Sequence, residues 1–208
     1  MKILAVDIGT GTQDILLFDS RIDVENSLKM VQPSPTMLTN RRIKAATKRG
    51  EAILLTGVTM GGGPSHWAAE AHLEAGLPLF ATPDAARSFN DDLEIVASLG
   101  VRIISEDEAR SLNAAVVRLE LKDFDFDAIR SAFDQFGVGL DDLDAAAVAV
   151  FDHGAAPPGY SDRQFRFDYI QERVRRNPSL TSFAFLSGEL PDIMTRMRAV
   201  AWSARELK

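Results

Sequence analysis

Apolar and polar positions along this chain follow two periods, and the switches between them predict its elements. Ile3 to Val6 and Ile15 to Phe18 are apolar runs of strand length around a polar stretch holding Gly9, Thr10, Gly11 and Thr12. That pattern predicts a β-hairpin with a glycine-bearing tip. Ser27 to Val31 supplies a third strand, ended by Pro33-Ser34-Pro35, and Thr36 to Arg49 reads as a helix with Thr36 as its cap and Gly50 as its stop. Ala52 to Thr56 is apolar throughout, as a strand buried on both faces is, and its place after a helix predicts a course parallel to the first strand. There follow a helix opened by Pro64 and Ser65 and running to Ala75, a strand at Leu79 to Ala81 and a helix start at Thr82-Pro83. A further helix is capped by Asn90-Asp91-Asp92 and ended by Gly100, and Val101 to Ile104 is a strand.

Ser105 and Glu108 have the spacing of a capping box, and the alternation of Val117, Leu119 and Leu121 predicts a strand with one wet face. Phe126, Ile129, Phe133 and Phe136 recur at helical spacing, which makes them a core stripe. Ala145 to Phe151 is a third apolar strand. The alternation of β and α elements predicts an α/β domain with a mixed, largely parallel sheet flanked by helices. Past Gly159 the pattern turns helical: Phe167, Ile170 and Val174 share one face, and a last helix from Pro191 carries Ile193, Met194, Met197, Val200, Ala201 and Ala204 as its stripe. Trp202 falls roughly opposite that stripe, so this helix is expected to be covered on two sides, by a second copy or by a partner protein. The boundaries that result are a lobe over residues 1–160 and a helical extension over residues 161–208.

Three stretches carry chemistry. The hairpin tip, Gly9 to Gln13, suits an anion: its glycines let successive backbone N–H groups point into one concavity, and its threonines add hydroxyl donors. Asp7, at the end of the first strand, is a candidate oxygen ligand for a divalent cation. The second stretch is the loop Thr59-Met60-Gly61-Gly62-Gly63, where three glycines in a row point either to close approach of a ligand or to a tight turn under a neighbouring element. The helix that follows presents free N–H groups and the positive end of its dipole. Third, Asp152 and His153 sit at the C-terminal end of an apolar strand, where open α/β sheets place ligands. Either is a candidate general base or metal contact, or else Asp152 caps the following loop and His153 bonds backbone. His66 and His72, six apart on one helix, do not have chelating spacing. No Gly-Lys-Ser/Thr tripeptide is present for a Walker A loop, and Asp14 stands where a dinucleotide fingerprint needs its third glycine.

Asp7-Ile8-Gly9-Thr10-Gly11-Thr12 between two strands resembles the first phosphate motif of the actin, sugar kinase and heat-shock ATPase superfamily. Together with Pro33-Ser34-Pro35-Thr36, Leu55-Thr56-Gly57, Thr59 to Pro64, Ala81-Thr82-Pro83 and Asp152-His153-Gly154, it is similar to a bacterial and archaeal DUF1786-type family that is often labelled as a pyruvate formate-lyase activating enzyme. The resemblance implies a ribonuclease H-like (actin-like ATPase) fold, with Mg²⁺ and ATP as cofactors. It places the phosphate of a nucleotide or other phosphorylated small molecule at Gly9, Thr10, Gly11, Thr12, Gln13, Thr59, Gly61, Gly62 and Gly63. The superfamily also implies a second lobe, and no second Asp-Gly hairpin follows Gly154, so the chain looks like a first lobe with an extension. The label's radical chemistry needs an iron–sulfur cluster held by cysteine thiolates, and this chain contains no cysteine.

Composition narrows the class. The chain has 208 residues, 46% of them hydrophobic and 25% charged, which suits a globular domain with a real core. The net charge is −7, yet residues 162–208 hold nine basic and six acidic residues, an asymmetry of a solvated helical face or of a partner-binding tail. The acidic excess argues against nucleic acid as a partner. No apolar run reaches membrane-spanning or signal-peptide length, which makes the cytoplasm the expected compartment. Three readings follow: a nucleotide-binding lobe in which Asp152 orients a nucleophile; a non-enzymatic scaffold or regulatory subunit acting through the C-terminal helices; and a metal-dependent hydrolase built on Asp7, Asp152 and His153.

Overall fold

The computed structural model describes residues 1–112 and 115–207, so Lys208 of the extension lies outside the described residues. Strands β1 (Lys2–Ile8) and β2 (Thr12–Asp19) form the hairpin, in register from Lys2 opposite Asp19 to Ile8 opposite Gln13. Strand β3 (Leu28–Pro33) pairs antiparallel with β2. Helix α1 (Pro35–Arg49) then crosses to a second sheet, built from β4 (Ala52–Gly57), β5 (Leu79–Ala81), β6 (Arg102–Ile103) and β7 (Val116–Leu121). Between these strands lie α2 (Gly63–Glu74), α3 (Pro83–Ala86), α4 (Leu93–Ser98) and α5 (Glu106–Ser111). Helix α6 (Phe126–Asp134) leads back to β8 (Ala145–Val150), and α7 (Asp162–Arg176) and α8 (Thr195–Ser203) close the chain. Among the described residues no helix is long and apolar enough to cross a membrane.

The architecture is α/β with two four-stranded sheets where the sequence predicted one. The first has the order β3-β2-β1-β8 and is mixed; the second, β6-β5-β4-β7, is parallel throughout. Strand β4 is not a neighbour of β1: both of its edges are taken by β5 and β7, and the parallel partner of β1 is β8, from Ile3 opposite Ala145 to Ile8 opposite Val150. Burial on both faces holds for β4, whose Ile53, Leu54 and Leu55 are wholly buried. It does not hold for β8. That strand is the open edge of its sheet, and Ala145, Ala146, Ala147 and Ala149 are exposed.

Each sheet has its own core. Leu4, Val6 and Ile8 of β1 and Ile15 and Leu17 of β2 pack with Phe124, Phe126, Ile129 and Phe133, and Val200 of α8 joins them, so the C-terminal helix is part of this core. Ile53 and Leu55 of β4 pack with Ile43, Ala46, Ala68, Leu79, Leu119 and Leu121 in the other. Each of the buried valine, leucine, isoleucine and phenylalanine side chains stabilises the fold by about 1.5–3 kcal/mol through loss of exposed apolar surface. The aromatic stripe is shorter than predicted, since α6 ends at Asp134 and Phe136 projects into solvent at 76% exposure. Helix α7 has the apolar face expected of it but buries no residue. The cap of α1 is Ser34, whose hydroxyl accepts from the Met37 N–H at 3.3 Å, and not Thr36, which is buried against the glycine loop. Ser105 and Glu108 form the capping box at α5.

Candidate functional site

Strands β1, β4, β5 and β8 all end towards one cleft of about 390 Å³ between the sheets. Its wall includes Gly9 and Thr10 from the hairpin tip, Thr59, Gly61, Gly62 and Gly63 from the loop after β4, and Asp152 and His153 after β8. Eight of the residues singled out in the sequence therefore share one cavity. Gly11, Thr12 and Gln13 do not line it, and Gln13 turns its side chain inward. Asp7 does not line it either. The pleat of β1 puts Asp7 on the face opposite Ile8, exposed and in register with Asp14, two like charges facing each other across the hairpin. As a holder of Mg²⁺ on a ligand in the cleft, Asp7 does not fit.

The hairpin tip is braced from one side. Gly9 N–H donates to the Thr12 carbonyl at 2.9 Å and closes the turn. Ser34, wholly buried, donates its N–H to the Gly11 carbonyl at 3.1 Å and its hydroxyl to the Thr10 carbonyl at 2.6 Å. With the carbonyls tied down, the N–H groups of Thr10 and Gly11 have no hydrogen-bond partner among the described residues. The same first turn of α1 holds the glycine loop, because Thr36 donates its hydroxyl to the Gly62 carbonyl at 2.8 Å and accepts from Ser65 N–H at 3.3 Å. One helix start thus positions both loops.

Along the glycine loop, Val58 N–H donates to the Leu121 carbonyl, Met60 N–H to the Ser88 hydroxyl, and Gly61 N–H to both carboxylate oxygens of Asp123. Gly62 and Gly63 have N–H groups without a partner among the described residues, and they begin α2. Gly62 is also required by packing: a Cβ there would lie 2.4 Å from the Ser88 carbonyl oxygen. The tight-turn reading of the triple glycine therefore holds at Gly62, and the three glycines also line the cavity.

Asp152 is committed to structure. One of its oxygens accepts from Gly154 N–H and the other from Met197 N–H, each at 2.8 Å, so it caps its own loop and the start of α8 together. His153 does not bond backbone. Its Nδ1 lies 2.7 Å from Nη1 of Arg166, and an arginine only donates, so Nδ1 is the acceptor and the proton of the neutral ring sits on Nε2. Burial, then the Arg166 charge, hold its pKa below the ordinary 6.5. In this form His153 offers the cleft a donor rather than a base. Asp91, at the lip, has its pKa raised by burial and by the neighbouring Asp162 and Asp152 carboxylates.

Asp123, Arg196, Ser34, Asp91 and Asp162 were not among the candidates drawn from the sequence. Among the described residues no three side chains of histidine, aspartate or glutamate gather as a metal site, and Asp7, Asp152 and His153 do not converge. His72 is wholly buried, bonded to the Thr47 hydroxyl and the Pro78 carbonyl.

No curated protein matches the chain. Residues 60–208 match a protein family described as "Putative pyruvate format-lyase activating enzyme (DUF1786)", a span that holds the glycine loop from Met60 onward, Asp123, Asp152 and Arg196 but neither Thr59 nor the hairpin tip. The chain belongs to the DUF1786 family.

Proposed function

We propose that the cleft between the two sheets binds a phosphorylated small molecule, a nucleotide or a sugar phosphate, in an actin-like lobe formed by residues 1–160 with residues 161–208 as its extension. One observation carries this reading: the hairpin tip and the glycine loop, far apart in sequence, line the same cavity with three N–H groups left over, those of Thr10, Gly62 and Gly63. Such groups at strand ends and a helix start suit the oxygens of a phosphate. The Asp91 and Asp162 carboxylates on the same wall are acceptors for ligand hydroxyls, as a ribose or sugar would supply. The mixed sheet with β8 parallel to β1 supports the ribonuclease H-like reading. Mg²⁺ is not part of this reading, because Asp7, the oxygen donor expected to hold it, does not line the cleft. The activase chemistry of the family's description is left out as well, because this chain has no thiolate to hold an iron–sulfur cluster.

A binding module without turnover is the second reading, and the bonding of Asp152 favours it, since each of its oxygens already accepts a backbone N–H in a structural role. Heating the protein with ADP or pyrophosphate tests the shared part of both readings. A ligand at a hundredfold its dissociation constant adds about 2.7 kcal/mol, which for a chain of this size raises Tm by about 5–10 °C. An unchanged Tm with every phosphorylated probe would remove the proposal.

A further inference from the structure

We infer that Arg196, at the start of α8, is the positioning residue of the cleft: through Asp123 it fixes the glycine loop in the place from which Gly62 and Gly63 present their N–H groups. Asp123 follows β7 and is 1% exposed. Its carboxylate takes a two-pronged bond from Arg196, Nε to Oδ2 at 2.6 Å and Nη2 to Oδ1 at 3.0 Å, and the same two oxygens accept Gly61 N–H at 3.2 Å each. The third nitrogen, Nη1, donates to the Phe151 carbonyl at 2.7 Å, at the end of β8. One guanidinium therefore ties the end of the mixed sheet to the glycine loop of the parallel sheet. It also lies directly over Gly61, where a Cβ would come within 2.7 Å of Nη2.

The geometry is specific to arginine. A lysine brings the charge but a single nitrogen, which cannot reach Asp123 twice and Phe151 once. Helix α8 is itself anchored beside the cleft, with Met197 N–H on Asp152 and Val200 in the core below, so Arg196 is held and does not sample freely. The consequence is that the C-terminal helix, though it follows the second sheet by some seventy residues, decides how rigid the anion loop is.

This inference rests on the anion reading of the cleft for its purpose but not for its test. Hydrogen exchange of the full chain, without ligand, is followed over the segment from Thr59 to Ser65 in the wild type and in Arg196→Ala, Arg196→Lys and Gly61→Ala. Loss of charge-assisted bonds should speed exchange of this segment by about tenfold or more in all three variants, with β1, β4 and α6 keeping their protection. Gly61→Ala keeps every charge and only pushes the guanidinium away, and it remains informative should Arg196→Ala fail to fold. Pyrophosphate affinity, measured alongside, should fall with loop protection, and Arg196→Lys should not restore it. Wild-type exchange rates in Arg196→Ala or Gly61→Ala would overturn the inference. So would full rescue by lysine, since the role would then be charge rather than position. If the wild type does not bind pyrophosphate, the reading of the cleft fails while the exchange rates still decide what Arg196 does.

Discussion

Asp123 and Arg196 carry the largest residue-scale consequence. Asp123→Ala leaves a largely buried guanidinium without its carboxylate, and breaking such a pair costs about 3–5 kcal/mol, read as a lowered denaturation midpoint. His153 gives a pH signature. Its folded pKa lies below the unfolded 6.5, so as pH falls the unfolded chain takes up this proton first, and stability declines from pH 6.5 downward. An NMR titration should place His153 below 6.5, and Arg166→Ala should move it up, by removing a nearby charge and a donor that requires the ring neutral. Asp91 has the opposite sign of shift: its raised pKa makes the charged form a burden on the fold above the acid range. Asp91→Asn should raise Tm at pH 7, a gain that shrinks as pH falls and is lost well below pH 3.8, where both states hold the proton. The glycines were legible in the sequence because three together are costly without a cause. Asp123 was not, because one acid in a turn that alternates with phenylalanine reads as an exposed turn residue, and nothing local marks it as the partner of an arginine seventy-three positions on.

At the scale of elements, local signals did well where one residue decides and poorly where tertiary placement does. The helix stop at Gly50, with φ of 68°, and the capping box at Ser105 are decided by their own few residues. Strand β8 shows the limit: a run of alanines and valines has no polar alternation to tell a buried strand from an edge, and alanine tolerates either. Phenylalanine spacing at α6 has the same weakness at its end, since the period continues one turn past the helix. Paired substitutions separate the two cases. Phe133→Ala should cost about 3–5 kcal/mol as a fully buried aromatic is truncated, whereas Phe136→Ala should change stability by less than about 0.5 kcal/mol.

For the whole molecule, the sequence contained both loops but not the topology that joins them. Alternating β and α elements fit one sheet or two, and only the pairing of β1 with β8 across the intervening parallel sheet shows that the chain leaves its first sheet and returns. That return brings the end of β8 next to the hairpin tip and leaves the glycine loop facing both. The first turn of α1 and the start of α8 then brace the cleft from two sides, through Ser34 and Thr36 on one and Arg196 on the other. The N–H groups that this bracing leaves unpaired are the ones proposed to receive a phosphate. Amide NMR of the labelled chain during titration with pyrophosphate tests this: the signals of Thr10, Gly62 and Gly63 should shift together along one saturating curve, with His153 following. Saturation that moves other amides and leaves these three in place, or no saturation at all, would contradict it.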